Sequence, residues 1–183
     1  MNAPLHGSPA PAPAPAPAPE FEVSGWLNAT QAPTLASLRG KVVAVYAFQM
    51  LCPGCVSHGI PQAKGIRQLF GQDEVAVLGL HTVFEHHEAM NEGALKAFVH
   101  EYRIGFPVGI DRASDTGPVP RTMERYALRG TPTLLLFDHQ GVLRHSLFGR
   151  AEDMQVGALI GQLLAEPAQA DAAGCDGDAC SIR

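Results

Sequence analysis

The chain alternates between short unbroken apolar runs and longer stretches in which apolar residues recur every three or four positions. KVVAVYAF (41–48) is continuously apolar and rich in β-branched residues, which predicts a central strand covered on both faces. Residues 55–70 then place Ile60, Ala63, Ile66, Leu69 and Phe70 at roughly helical spacing. EVAVLGL (74–80) predicts a second buried strand. EGALKAFVHEYRI (92–104) predicts an amphipathic helix with Leu95, Phe98, Val99 and Tyr102 on one face and Asn91 as its N-cap. FPVGI predicts a short strand and PRTMERYAL a short helix. TLLLFD and VLRHSLFG, separated by HQG, predict a hairpin, and EDMQVGALIGQLLAE a closing helix with Glu152 or Asp153 at its positive end. This order implies an α/β fold: a central mixed β-sheet flanked by helices.

The alternation occupies the middle of the chain. SPAPAPAPAPAP (8–19) cannot form a regular hydrogen-bond ladder and predicts a stiff or disordered spacer. The expected division is a Pro-Ala leader over 1–20, one domain over 21–164, and a small, polar, mobile tail over 165–183. A length of 183 residues, 46% of them hydrophobic, suits one substantial core. A net charge of −5, with the 13 Lys and Arg scattered, argues against a basic face for nucleic acid or anionic lipid. No apolar run reaches the length of a membrane span. MNAPLHGSPA has neither a basic leader nor an apolar stretch, which points to the cytoplasm; removal of a leader would leave the periplasm open.

Chemistry enters with the four cysteines, which fall in two pairs, CPGC (52 and 55) and CDGDAC (175 and 180). Close pairing favours catalysis or metal binding over structural burial. Cys52 follows the buried strand and opens a helix, where free N–H groups and the helix dipole stabilise a thiolate and draw its pKa down from about 8.5. Cys55 lies one turn further on, near enough to displace a mixed disulfide. Pro53 suits a helix start and Gly54 leaves the backbone beside the sulfurs uncrowded. His81 is expected at the end of the next strand, on the same edge of the sheet. Downstream, GTPT (130–133) leads into TLLLF. A cis Thr131–Pro132 bond there would make a tight turn exposing the neighbouring backbone to an extended partner, and it would face the cysteines if the two strands are antiparallel.

Taken together, GKVVAVYAFQMLCPGC, LHTVFEHHEA, FPVGIDR and YALRGTPTLLLFDHQGVLRHSLFGR resemble the thioredoxin fold in its TlpA-like or redoxin branch, over roughly residues 21–164. GWLN (25–28) and SLRGK (37–41) resemble that branch's N-terminal addition. The resemblance implies thiol–disulfide exchange with protein or small-molecule partners and no bound cofactor. It makes Cys52 the nucleophile, Cys55 the resolving thiol, and Pro132, with Thr131, the element that presents the partner's backbone.

The sequence departs from that pattern in several places. Leu51 stands where a Trp usually precedes the first cysteine, and Pro61 comes six residues after the second cysteine instead of five. No carboxylate is available in the strand or early helix as a buried proton acceptor, which leaves His58 as the nearest titratable substitute. A peroxidase of the peroxiredoxin type shares the fold, but its pattern has a Pro seven and a Thr three residues before the reactive cysteine. Those positions hold Val45 and Gln49 here. A metal-binding module built from the four thiols with His81, His86 and His87 is the other alternative, although CDGDAC has a wider spacing than zinc sites favour. Cys175 and Cys180 could instead form a second redox pair, since the chain from Leu164 to Cys175 extends at most about 35–40 Å.

Overall fold

The computed structural model describes residues 16–167. Six strands, β1 (Val23–Leu27), β2 (Val42–Phe48), β3 (Val75–His81), β4 (Val108–Asp111), β5 (Thr133–Phe137) and β6 (Leu143–Phe148), form one sheet in the order β1-β4-β3-β2-β5-β6. β2, β3 and β4 are parallel, while β1, β5 and β6 run antiparallel to their neighbours. The sheet is therefore mixed, and β2, paired on both sides, has all seven residues buried.

Side-chain alternation along β2 divides the core between the two faces of the sheet. Val42, Ala44, Tyr46 and Phe48 pack against the helices α1 (Ile60–Leu69), α2 (Glu92–Glu101) and α4 (Asp153–Ala165), through residues such as Ile60, Leu95 and Ile160. Val43, Val45 and Ala47 point the other way, onto Leu35, Met123 and Leu128 around the short helix α3 (Arg121–Arg125). α3 is held by the buried Asp111, whose carboxylate accepts the Thr122 and Met123 N–H groups at 2.8 and 3.0 Å. Burial pushes the Asp111 pKa up, and those hydrogen bonds oppose the rise.

β1 is the strand that the apolar pattern does not announce, because VSGWL is short and carries a glycine. It adds to the edge at β4, where a side chain at Gly109 would sit 3.0 Å from Val23 and 3.1 Å from Trp26, so only glycine lets the two strands close. Ala18, at the end of the Pro-Ala run, donates its N–H to the Gly141 carbonyl at 2.9 Å.

Two core assignments need correction. Leu69 is 76% exposed, because it lies on the rim of a groove between α1 and α4. Tyr102 is 40% exposed; it follows the last turn of α2 and stacks on Phe98 from outside, with ring centroids 4.3 Å apart. The helix expected over 55–70 is also not uniform. It opens with a π-helical segment, Cys55–Gly59, before α1 begins.

Candidate active site

The end of β2 delivers the chain to the sheet edge, and Gln49, Met50 and Leu51 carry it into a helical turn beginning at Pro53. Cys52 is half-buried and Cys55 fully buried. They are joined as a disulfide, with Cα atoms 5.2 Å apart, inside the range such a bridge requires. The Cys55 N–H donates to Cys52 Sγ at 3.2 Å, and the Val56 N–H donates to the Cys52 carbonyl at 3.1 Å. The Cys55 N–H is shared with the Cys52 carbonyl at 3.1 Å, and its other branch is aimed at the half-exposed sulfur, where it favours negative charge. Leu51, at the position where a Trp is usual, is 58% exposed beside it.

The π segment accounts for the odd spacing of Pro61. The Ile60 N–H reaches back to the Cys55 carbonyl, five residues away, so the helix holds one residue more than a regular turn. The extra residue leaves Gly59 facing the core. A side chain there would lie 3.3 Å from Pro132 Cβ and 3.6 Å from the Tyr46 ring, and one at Gly54 would lie 3.3 Å from Pro132 Cδ. These two glycines let Pro132 ride against the helix.

Pro132 arrives because β5 runs antiparallel to β2, with Ala47 opposite Thr133. The Thr131–Pro132 peptide bond is cis, and the Thr131 carbonyl oxygen lies 3.5 Å from Cys52 Sγ. The Pro132 carbonyl accepts the Gly149 N–H at 2.8 Å, which ties this turn to the end of β6. Cys52, Cys55, Thr131 and Pro132 therefore meet at one edge of the sheet.

His58 lies one turn beyond Cys55, with Nε2 2.8 Å from the Ala151 carbonyl oxygen. The same oxygen accepts from Gln62 Nε2 at 2.9 Å, and Gln62 Nε2 also donates to Asp153 Oδ1 at 2.6 Å. The Tyr46 hydroxyl donates to Gln62 Oε1. Burial, helped by the Asp153 carboxylate, pushes the Tyr46 pKa up, so this hydroxyl stays protonated. Sequence reading missed the Tyr46–Gln62–Asp153 chain, since it joins residues as much as 91 positions apart. A tyrosine inside a fully buried strand was the available signal, because its hydroxyl must find a partner.

His81 does end β3 at this edge, opposite Phe48 in the parallel register. It is buried, its ring packs 5.4 Å from that of Phe48, and its Nε2 has no hydrogen-bond partner among the described residues. Burial pulls its pKa down to about 4, so the ring is uncharged at neutral pH. His86 and His87 are exposed in the following loop. Among the described residues, no three His, Cys, Asp or Glu side chains gather into a metal-binding group. Val45 and Gln49, at the positions of the peroxidase pattern, are both buried, and Gln49 Oε1 has no hydrogen-bond partner among the described residues. Cys175 and Cys180 lie outside the described residues.

A disulfide at a helix start, beside a cis-proline turn on a mixed sheet, defines a thiol–disulfide oxidoreductase of the thioredoxin fold. Residues 15–146 match the model of the AhpC/TSA family, and the chain belongs to that family. Among solved structures, a thioredoxin-like superfamily protein is 58% identical, over 82% of this chain and 97% of its own, with a TM-score of 0.81. A thiol-disulfide isomerase from Corynebacterium glutamicum is 46% identical, over 83% of this chain and 98% of its own, with a TM-score of 0.80. An exposed lipoprotein thioredoxin from Streptococcus pneumoniae, 22% identical over 79% of this chain and 100% of its own, shares the fold at a TM-score of 0.59. No curated protein sequence matches the chain. Among the described residues, no helix is long and apolar enough to cross a membrane.

Proposed function

We propose that the protein reduces disulfides of partner proteins by two successive thiol exchanges at Cys52 and Cys55. In the dithiol form, the Cys52 thiolate bonds to one sulfur of the partner disulfide. The other partner sulfur leaves as a thiolate and takes up a proton. Cys55 then gives up its proton and bonds to Cys52, the bond between Cys52 and the partner breaks, and the second partner sulfur leaves and is protonated. Two electrons pass to the partner, and the protein ends as the Cys52–Cys55 disulfide.

The observation that carries this reading is the Cys55 N–H directed at Cys52 Sγ at 3.2 Å. A hydrogen bond to an ionised acceptor is about twice as strong as one between neutral groups, so this contact favours the attacking form of Cys52. The difference in burial supports this order, with the half-exposed Cys52 open to a partner and the buried Cys55 beside it. The turn at Thr131 and Pro132 offers backbone to an extended partner segment beside the sulfur. His58 takes the Cys55 proton. Its Nε2 faces a carbonyl oxygen and so carries the hydrogen, leaving Nδ1 as the acceptor in the neutral ring.

The 46% identical neighbour, a thiol-disulfide isomerase, supports exchange with a disulfide-bonded partner. The test is Cys55→Ser, which leaves the first exchange intact and removes the second. Incubated with disulfide-bonded proteins, this variant is expected to accumulate a covalent adduct that dithiothreitol releases. No adduct from Cys55→Ser, with full reduction of the same proteins by the unaltered dithiol, would overturn the assignment.

Two finer readings accompany this one. Net reduction suits a reducing cytoplasm, and fractionation that finds the protein outside the cytoplasm would turn the exchange toward oxidation or isomerisation. Cys175 and Cys180 relay electrons to the Cys52–Cys55 pair. Replacing both by Ser is expected to slow turnover with a protein dithiol donor, and an unchanged rate would remove the relay.

A further inference from the structure

We propose that Gln62 is a positioning residue for thiol exchange, holding His58 in the orientation that lets Nδ1 accept the proton of Cys55. This rests on the reading of His58 as the proton acceptor and adds the device that sets it up. His58 and Gln62 meet at one atom. The Ala151 carbonyl oxygen accepts from His58 Nε2 at 2.8 Å and from Gln62 Nε2 at 2.9 Å, which occupies both of its lone pairs.

The orientation of the Gln62 amide follows from its neighbours. Its nitrogen faces two acceptor oxygens, the Ala151 carbonyl and Asp153 Oδ1, and its oxygen faces the Tyr46 hydroxyl. A flipped amide would set three acceptors together with no proton among them. Gln62 is 8% exposed, so such a mismatch would not be relieved by bulk water. Tyr46 on β2, which remains protonated, and Asp153 at the start of α4 thus hold Gln62 from both ends, and Gln62 holds the carbonyl that orders the imidazole. With Nε2 committed to that carbonyl, the basic nitrogen is Nδ1, the one nearer the backbone of His58, a residue one turn from Cys55 in the sequence of the helix.

The experiment separates the two exchange steps by rapid quench, in the full-length protein and in Gln62→Met, which conserves volume and removes all three hydrogen bonds. Attack by Cys52 on a disulfide-bonded protein is expected to stay within about twofold. Attack by Cys55 on the preformed mixed disulfide is expected to slow about three- to tenfold, a fraction of what a positioned proton acceptor supplies. In a His58→Asn background, Gln62→Met is expected to produce no further slowing. Asp153→Ala, an exposed change that removes one anchor of Gln62 without disturbing the core, is expected to slow the second step in the same direction. If His58→Asn slows the second step and both Gln62→Met and Asp153→Ala leave it unchanged, the positioning role is overturned while the acceptor role stands. If Gln62→Met slows both steps equally, or slows the His58→Asn variant as much as the unaltered protein, its effect is structural and the inference fails. An unchanged second step in His58→Asn overturns the acceptor role and with it this inference.

Discussion

Two strand-to-helix units reach the same edge of the sheet, with Phe48 and His81 side by side, and they complete their helix starts in opposite ways. After β3 the chain takes a loop over residues 82–91, and Asn91 Oδ1 accepts the Ala94 N–H at 3.0 Å, an N-cap made by an inert side chain. After β2 it turns over residues 49–52, and no hydroxyl, amide or carboxylate caps the segment that follows. The side-chain acceptor there is the sulfur of Cys52, which shares the Cys55 N–H with the Cys52 carbonyl. The geometry is the same in kind, an N–H directed at the side chain three residues earlier. The difference is that one acceptor only terminates a helix, while the other, in the proposed exchange, is the nucleophile that the same hydrogen bond would stabilise.

The largest effect separates those two roles of the sulfur. Cys52→Ser keeps an acceptor for the Cys55 N–H and removes the redox atom, so disulfide reduction is expected to fall to background. The stability of the reduced protein, measured by urea unfolding, should change by only about 0.5 kcal/mol. Cys52→Ala removes the acceptor too and is expected to cost about 1 kcal/mol more than the serine variant. Equal stabilities for the two variants would mean that the sulfur does not act as a cap, and the parallel between the two helix starts would break.

A second contrast lies at the strand ends themselves. Cys52 is half-exposed and given a donor, whereas His81 is buried and its Nε2 is given no partner among the described residues. Burial holds its pKa at about 4 against 6.5 for a free imidazole. The unfolded chain therefore binds a proton between these values that the folded chain refuses, and stability rises with pH across that window. The contribution is complete above about pH 6.5 and is lost as pH falls toward 4. Between pH 7 and pH 5 it amounts to about 2 kcal/mol. His81→Phe, which keeps a flat apolar ring against Phe48, is expected to lose that acid sensitivity. A urea midpoint that falls as much from pH 7 to pH 5 in the variant as in the unaltered protein would place the sensitivity elsewhere. Asp111, whose pKa is raised by burial, contributes with the opposite sign, its stabilisation lost as pH rises above the ordinary carboxylate range, and His81→Phe leaves it untouched.

The units that contrast so clearly were unequally legible in the sequence. β2 and β3 declare themselves by unbroken apolar runs, the Asn91 cap by its place before a periodic stretch, and CPGC with GTPT by residue types that few other arrangements require. The π segment left only a trace, the placing of Pro61 six residues after Cys55 instead of five. Periodicity alone cannot distinguish one extra residue in a turn from a slightly different helix. β1 is hidden because a five-residue strand with a glycine is specified by its partner β4 more than by its own pattern. The Gln62 contacts are hidden for a stronger reason. They join β2, α1 and the start of α4, and which polar side chains share a carbonyl follows from tertiary packing that no local spacing encodes.

The smallest effect examines the inert side of the comparison. Asn91→Ala removes the Oδ1 acceptor of the Ala94 N–H, and because that N–H lies at an exposed helix start, water can replace the lost partner in part. The expected cost is about 1 kcal/mol of stability, with Asn91→Asp close to the unaltered protein because a carboxylate caps equally well and favours the positive end of the helix. Both exchange steps should be unchanged, since the Asn91 side chain caps its own helix, which packs on the sheet through Leu95 and Val99. A slowed exchange in Asn91→Ala would mean that the two helix starts are coupled through the strand ends at Phe48 and His81, and that a cap here does more than end a helix.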